Sequence, residues 1–151
     1  MHKSEVKKRS HERAEQAETP IPLKLLIIDD EAVILETLAL GFSMTSEFEV
    51  LTLSEVTLWR ETIESFRPDV ILVDYRMPTM MGDAFIQALN ISGLRTSIPI
   101  LVVGLYSATP FTTAQVQKLG ADVFFSKPFS FQHILTTLQD LTLGHRSTDA
   151  A

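Results

Sequence analysis

The 151-residue sequence predicts an α/β fold in which a doubly wound parallel sheet lies between two layers of helices. Short apolar runs alternate with helical patterns along the chain, and most of these runs are continuously apolar, as in strands that are covered on both faces. In addition, charged residues follow three of the runs. Because the carboxyl ends of parallel strands meet at one edge of the sheet, where ligands bind, those charged residues are the candidate functional site.

Five apolar runs are predicted as strands, because each is too short for an independent helix and is rich in branched or aromatic residues. They are residues 23–28, 48–53, 70–73, 98–103 and 123–125. Each run is followed by a helical pattern, so the crossovers are expected to be right-handed. The natural result is a three-layer α/β/α sandwich with the flavodoxin-like strand order 2-1-3-4-5.

The helices are predicted from apolar spacing and from capping residues. The first covers residues 32–44, the second carries Trp59, Ile63 and Phe66 at i, i+4 and i+7, and the third turns Phe85, Ile86 and Leu89 inward. The fourth begins at Thr109-Pro110 and ends at Gly120; the fifth begins after Ser130, carries Ile134, Leu135, Leu138 and Leu141 on one face, and is expected to end before Gly144.

Composition divides the chain into a polar leader (1–22), one folded domain (23–143) and a short polar tail (144–151). The leader carries five Lys/Arg and four Asp/Glu, and the remainder carries eight and fifteen, so the net charge of −6 is +1 in the leader and −7 beyond it. We expect a disordered leader, since it lacks apolar periodicity and ends in two prolines. Its Lys7-Lys8-Arg9 stretch is expected to be solvated.

The same composition argues against several classes of function. An acidic domain is unsuited to gripping nucleic acid through phosphate neutralisation. No apolar run approaches the roughly 18 residues of a membrane span, and the start does not resemble a signal peptide, so a cytoplasmic protein without a membrane partner is expected. The absence of cysteine excludes thiol catalysis, and the four scattered histidines have no zinc-ligand spacing.

Asp29-Asp30, Asp74 and Lys127 close the first, third and fifth strands, which predicts a site with three acids and one amine. Crowded carboxylates repel one another, and a hard divalent cation such as Mg²⁺ relieves that repulsion. Asp74, alone at the end of the central strand, is the candidate nucleophile towards a phosphate donor, and Lys127, from a neighbouring strand, would neutralise phosphoryl oxygens. Taken singly, each residue has a simpler explanation: an acid that caps the next helix, a turn residue, or a solvated amine.

Six sequence motifs resemble those of one protein family in residue type, order and spacing. They are LLIIDDE (25–31), RPDVILVDYRMP (67–78), MMG (80–82), IPI (98–100), GAD (120–122) and KPF (127–129). Over about residues 23–143 the chain thus resembles the receiver domain of bacterial two-component response regulators. The resemblance implies that Asp74 is the phosphoacceptor and that Mg²⁺ or Mn²⁺ is bound by Asp30, Asp74 and the backbone carbonyl of Arg76, with Asp29 acting through water. It also implies that Lys127 contacts the phosphoryl group and that the Lys127-Pro128 bond is cis.

The sequence departs from this family at the end of the fourth strand. The family usually has Thr or Ser where this chain has Gly104, so the hydroxyl that senses the phosphoryl group is missing, and Ser107 would replace it only if the loop folded back. The next residue is usually small but is Leu105 here, which would narrow access to the acids. Phe124 occupies the position of the family's switch aromatic residue.

We therefore expect a phosphoacceptor that assists its own phosphorylation and dephosphorylation but is not otherwise an enzyme. The resemblance implies a histidine kinase or histidine phosphotransfer protein as partner at the first helix, where Val33 and Leu40 are surplus apolar positions. A downstream effector or a second copy would meet the fourth helix, fifth strand and fifth helix, with Phe111, Phe129 and Phe131.

Two alternatives remain open at this stage. Beside a working receiver with altered coupling, the missing hydroxyl allows a phosphate sink or relay intermediate, or a degenerate pseudo-receiver that binds proteins independently of phosphorylation. A phosphatase of the haloacid dehalogenase type is disfavoured because Arg76 stands where a second acid is required. A nucleotide or flavin carrier is disfavoured because Asp29-Asp30-Glu31 would repel phosphate.

Overall fold

The computed structural model describes residues 21–106 and 113–149. Almost all of the predicted leader lies outside the described residues, as do Ser107, the predicted fourth-helix cap Thr109-Pro110, and Phe111. Within the described residues, no helix is long and apolar enough to cross a membrane.

Five parallel strands form one sheet in the order β2-β1-β3-β4-β5, which confirms the predicted fold class. The strands are β1 (Leu23–Ile28), β2 (Phe48–Leu53), β3 (Val70–Asp74), β4 (Ile100–Tyr106) and β5 (Val123–Lys127). The direction of winding reverses between β1 and β3, so the end of β3 lies at the switch point of the sheet.

In the described part of the chain, five α-helices connect or follow the strands: α1 (Ala32–Ser43), α2 (Trp59–Phe66), α3 (Gly82–Ser92), α4 (Thr113–Leu119) and α5 (Phe131–Asp149). Short 3₁₀ turns lie at Val56–Leu58 and Leu94–Ser97. Gly120 adopts φ 92°, a left-handed conformation that a side chain disfavours, and this residue ends α4 as the sequence predicted.

β3, β4 and β5 extend one, three and two residues beyond their predicted ends, and two further differences have identifiable reasons. β4 starts at Ile100 rather than Ile98, because the preceding Pro99 has no amide hydrogen to donate to a ladder. The prediction that the fifth helix ends before Gly144 is wrong, since α5 continues to Asp149. Gly144 does not adopt a left-handed conformation, and the buried Leu138 and Thr142 anchor the turns before it. A glycine within a helix costs only about 1 kcal/mol relative to alanine.

Two apolar layers cover the sheet, one on each face. Successive residues of a strand point to opposite faces, so Ile71 and Val73 of β3 pack with Ile63, Phe85 and Leu89 of α2 and α3. On the other face, the alternate β3 residues pack against α1 and α5; the buried side chains there include Val70, Leu72, Leu35, Leu38, Phe42, Ile134 and Leu138. Asp74 continues the alternation of Val70 and Leu72, which places it on the side of α1 and α5.

The loop between β3 and α3 is held close to the end of β3 by a glycine. The Gly82 amide donates to the Tyr75 carbonyl at 2.7 Å. A Cβ at position 82 would lie 2.8 Å from the Tyr75 Cα, a distance too short for a side chain. Gly82 is therefore required for this return of the chain towards the sheet.

At the opposite edge of the sheet, Arg95 connects two turns that are far apart in sequence. Its guanidinium donates to the Ile98 carbonyl, to the Gly120 carbonyl at 3.3 Å and to the Asp122 carboxylate at 3.3 Å. Asp122 also accepts a hydrogen bond of 2.7 Å from the Leu101 amide. These contacts fasten the start of β4 to the turn between α4 and β5.

Candidate functional site

Three carboxylates meet at the carboxyl edge of the sheet. Asp29 directly follows β1 and Asp74 ends β3, and these strands are hydrogen-bonded neighbours with Ile28 opposite Val73. One carboxylate oxygen from each of Asp29, Asp30 and Asp74 lies within 4.8 Å of the others. Asp29 and Asp74 are each only 3% exposed, whereas Asp30 is exposed. The structure thus brings together the acids that the sequence singled out.

Backbone amides hold two of these carboxylates in place. The Glu31 amide donates to Asp29 Oδ1 at 2.9 Å, and the Arg76 amide donates to Asp74 Oδ1 at 3.4 Å. Asp29 thus bonds a turn just before α1, but it is not the helix cap of the simpler explanation, because the N-cap residue of α1 is Glu31. That bond fixes the carboxylate beside Asp74 rather than removing it from the acidic site.

Gly104 lies directly beside the candidate phosphoacceptor. It is the partner of Asp74 in the β3–β4 register, and its carbonyl accepts a hydrogen bond of 2.9 Å from the Tyr75 amide. A small cavity of about 10 Å³ adjoins Asp29, Asp74 and Gly104 and is otherwise lined by apolar residues, among them Leu38 and Phe129. Gly104, the position at which the family usually has a hydroxyl, is thus next to Asp74 and lines the same cavity.

The remaining predicted residues are placed less closely. Lys127 ends β5, and β4 separates that strand from β3, so the expectation that it comes from a neighbouring strand is wrong. In the register, Phe125 is level with Gly104, and Lys127 lies two positions further towards the carboxyl edge. Phe124 is half-buried against the core on the side of α2 and α3. The roles of Lys127, Phe124 and the Arg76 carbonyl stay predictions.

Tyr75, next to Asp74, is a feature that sequence reasoning missed. Its hydroxyl is hydrogen-bonded to Asp83 at the start of α3. Burial raises the pKa of the phenol above its usual value, and the charge and hydrogen bond of Asp83 raise that pKa further. Gly82 is the sequence signal for this feature, because a glycine there marks a close approach of the loop to the end of β3. It does not identify Asp83 as the partner of Tyr75.

The chemistry of the donor set suits a small hard cation. Three ionised carboxylates this close repel one another, and a cation between them relieves that repulsion. Mg²⁺ takes oxygen ligands and is usually bound by one or two carboxylates together with water and phosphate oxygens. The residues present therefore fit a Mg²⁺ site, and the exposed Asp30 leaves it accessible from solvent.

The family follows from this geometry and from comparison with known proteins. The model of the response regulator receiver domain matches residues 25–139. The chain belongs to the response regulator receiver family. The match spans all five strands and most of the helical layers, so it covers the whole acidic edge of this receiver domain.

One similar curated protein is the protein-glutamate methylesterase/protein-glutamine glutaminase 2 of Xanthomonas oryzae pv. oryzae, which is 36% identical over 108 residues. The match covers 71% of this chain and 30% of the relative. This receiver domain therefore spans less than a third of the length of that relative.

Solved structures agree on the fold. A chemotaxis response regulator of Vibrio cholerae superimposes with a TM-score of 0.70 at 24% identity, covering 80% of this chain and 98% of the other. The signal receiver domain of a LuxO repressor protein from Vibrio parahaemolyticus gives 0.73 at 15% identity, covering 85% and 96%. At these identities the likeness establishes the architecture of the receiver domain, whereas its chemistry must be argued from the residues.

Proposed function

We propose that this receiver domain accepts a phosphoryl group on Asp74 in a Mg²⁺-dependent phosphorelay and passes the signal on by protein–protein interaction. The observation that carries the proposal is the meeting of Asp29, Asp30 and Asp74 at the switch point of the sheet, with carboxylate oxygens within 4.8 Å. Family membership supports it, since the three acids and Lys127 lie within the matched residues 25–139 and within the motifs by which the sequence resembles the family.

The proposed reaction transfers a phosphoryl group from a histidine of the donor protein to Asp74. A carboxylate oxygen of Asp74 forms a bond to phosphorus, and the bond from phosphorus to a histidine nitrogen of the donor breaks. The electron pair of the broken bond stays on the imidazole, which takes up a proton. Burial of Asp74 favours the transfer, because a nearly dry carboxylate loses little hydration as it reacts.

Asp29, Asp30 and Asp74, with the Arg76 carbonyl, are the residues that would hold Mg²⁺ or Mn²⁺. When bound, the cation neutralises negative charge on the phosphoryl oxygens and on the acids. Lys127 is proposed to contact the same oxygens from the side of β5. The hydrogen bond of 2.9 Å from the Glu31 amide fixes the orientation of the Asp29 carboxylate before any cation binds.

The proposed donor is a histidine kinase or histidine phosphotransfer protein, which implies a cytoplasmic location. Val33 and Leu40, 73% and 68% exposed on α1, are apolar positions available to such a partner. The output surface proposed from the family is formed by α4, β5 and α5, for an effector or a second copy. The chain is proposed as a phosphoacceptor that assists its own phosphorylation and dephosphorylation, without nucleic acid or a membrane as partner.

A specific observation favours a second candidate function. Gly104, next to Asp74 in the register, carries no hydroxyl that could bond a phosphoryl oxygen. If that contact is indispensable, the domain acts as a pseudo-receiver whose protein binding does not depend on phosphorylation.

The test is intact-protein mass spectrometry after incubation with acetyl phosphate, with and without Mg²⁺. We expect a metal-dependent gain of one phosphoryl group in the wild type and none in Asp74→Asn. Asp140→Asn is the matched control, because it makes the same change at an exposed position of α5 that is not among the acids of the site.

Labelling that persists in Asp74→Asn would show that another residue is the acceptor. No labelling of the wild type, either by acetyl phosphate or by a phosphorylated histidine phosphotransfer protein, would favour the pseudo-receiver.

A further inference from the structure

The outer ridge of α1 is apolar, which is unusual for a helix at a protein surface. Leu35, Leu38 and Phe42 face the core, while Val33, Thr37, Leu40 and Met44 recur at i, i+4, i+7 and i+11 on the opposite side. The Thr37 hydroxyl donates to the Val33 carbonyl at 2.7 Å, so it is already satisfied within the helix. A helix that is apolar on both sides is normally covered on both sides.

The same surface continues onto α5 and the residue before β1. Of the six large hydrophobic residues that are more than 60% exposed in the described part of the chain, five are on this side of the sheet; they are Ile21, Val33, Leu40, Met44 and Leu143. We call the surface that they form, on α1, α5 and the residues just before β1, the α1–α5 face. Clustered exposure of this kind marks an interaction surface.

Two grooves lie on the α1–α5 face. The upper one, about 190 Å³, is lined by Val33, Ile34, Thr37, Leu38, Phe129 and Phe131. The lower one, about 260 Å³, lies between the start of β1 and the second half of α5, and Ile21 lines it together with Glu47, Asp140 and Leu143. Ile21, the first described residue, lines this groove, so residues 1–20 are covalently attached to a residue of the groove.

The face also has one sign of charge. The sequence has no Lys or Arg from residue 25 to 59 or from residue 128 to 145, stretches that include all of α1 and all of α5 up to His145. Among the side chains of this face that the structure describes, the exposed ionised groups are acidic; they include Glu36 on α1 and Glu47 and Asp140 at the lower groove. An occupant with cationic side chains would complement this surface.

The chain supplies such an occupant. Residues 1–20 carry five Lys/Arg and four Glu, a net charge of +1, and the cations are concentrated in residues 1–11, where Lys3, Lys7, Lys8 and Arg9 stand against the single acid Glu5. A segment of 20 residues can span up to about 66 Å, and α1 is on the order of 18 Å long, so the segment can reach any part of the face. Covalent attachment beside the groove gives it an effective concentration on the order of millimolar.

We propose that residues 1–20 bind back onto the α1–α5 face of their own chain, with Lys7-Lys8-Arg9 against its acidic groups. The segment then competes with any partner that docks on α1. If it covers the face for nine-tenths of the time, the apparent affinity of that partner falls about tenfold. This role is independent of whether Asp74 accepts a phosphoryl group.

The test uses the full chain, which contains no cysteine, so a single thiol can be introduced for labelling. A nitroxide attached to Ser10→Cys is expected to broaden the amide NMR signals of α1 and α5 and to leave those of α2 and α3, on the other face of the sheet, unaffected. The same label on a chain that also carries Lys7→Gln, Lys8→Gln and Arg9→Gln is the matched control. The broadening should decrease in that control chain. It should also decrease in 1 M salt, where the Debye length is only about 3 Å.

Two results would overturn the proposal. One is broadening that is confined to the first residues of β1, or that survives the removal of the three cations. The other comes from a mixture of isotope-labelled chains without nitroxide and unlabelled chains with it: broadening in that mixture would assign the α1–α5 face to a second copy.

Discussion

At the scale of single residues, the pairing of Asp74 with Gly104 is the most consequential feature of this receiver domain. Both lie at the carboxyl edge, in register, and the cavity of about 10 Å³ between them adjoins Asp29 as well. A hydroxyl at position 104 would be able to donate to a phosphoryl oxygen on Asp74, a hydrogen bond to a charged group that is typically worth about 1.5–3 kcal/mol. If Asp74 accepts a phosphoryl group as proposed, the missing hydroxyl separates acceptance of that group from the response to it.

We therefore expect Gly104→Thr to strengthen the response to phosphorylation, while Gly104→Ala, which fills part of the same space without a hydroxyl, does not. The expected gain in phosphorylation-dependent partner binding is roughly tenfold, in line with the energy of one charged hydrogen bond. Calorimetric titration of a partner with phosphorylated and unphosphorylated chains measures it. Equal gains in both variants would mean that packing, rather than the hydroxyl, governs the coupling.

A second expectation at this scale concerns Tyr75. Its phenol has a raised pKa because it is partly buried and bonded to Asp83. At a pH between the pKa of Tyr75 in the unfolded chain and its higher pKa in the folded chain, the folded chain keeps the phenol protonated and the unfolded chain does not. The contribution of Tyr75 to the free energy of unfolding is therefore largest below about pH 10 and is lost as the pH rises through the folded pKa.

The tyrosinate absorbance of the wild type minus that of Tyr75→Phe should therefore titrate above pH 10. Asp83→Asn should move that midpoint down, since it removes the charge of the nearby carboxylate. A midpoint at or below the usual value would contradict the proposed pair.

At the scale of elements, the sequence located strands better than helix ends. β1 and β2 match their predicted residues because each apolar run is bounded by polar residues or turns, and burial on the sheet leaves one register. The end of α5 was missed because glycine beyond an apolar stripe usually marks a helix terminus, whereas packing of Leu138 and Thr142 carries this helix past it.

The continuation of α5 implies that Gly144→Ala stabilises the domain. No atom lies within 4 Å of a Cβ at that position, and alanine is favoured over glycine inside a helix by about 0.8–1 kcal/mol. Urea unfolding followed by the fluorescence of Trp59, the one tryptophan of the chain, measures the change.

Gly93→Ala is the control, because that position is equally open but has φ 80°, and it should destabilise by about 1 kcal/mol. If Gly144→Ala instead destabilises the domain to a similar degree, α5 ends at Gly144 in solution.

At the scale of the whole molecule, the acidic edge could be predicted because parallel strands end together. Asp29, Asp30 and Asp74 each follow an apolar run, and topology alone then brings them to one place. The Tyr75–Asp83 pair could not be predicted, since it depends on how a loop folds back onto the sheet. The surplus apolar residues Val33 and Leu40 were visible in the sequence, but their continuity with α5 required the packed structure.

Crowded acids imply a cost in stability that is relieved by metal. Repulsion between carboxylates less than 5 Å apart in partly buried surroundings is on the order of 3 kcal/mol before relaxation. In EDTA, Asp74→Asn should therefore raise the free energy of unfolding by about 1–2 kcal/mol.

With Mg²⁺ at 100 times its dissociation constant, the wild type should gain about 2.7 kcal/mol and the variant less, so that the order of stability reverses. Urea unfolding in both buffers checks this expectation, with Glu49→Gln, a change at an exposed acid of β2 outside the site, expected to change neither value appreciably. A variant that is less stable than the wild type in EDTA would show that the acids do not strain the apo fold.

The contacts of Arg95 have a mechanical consequence for the side of the molecule where output is proposed. They bind the Gly120 carbonyl and Asp122, just beyond α4, to the turn that starts β4. The C-terminal end of α4 is thus held in place, whereas its N-terminal end comes after the carboxyl end of β4 in the chain. A displacement that starts at the acids would therefore rotate α4 about Gly120 rather than translate it along the sheet. The first turn of α4 would then move furthest.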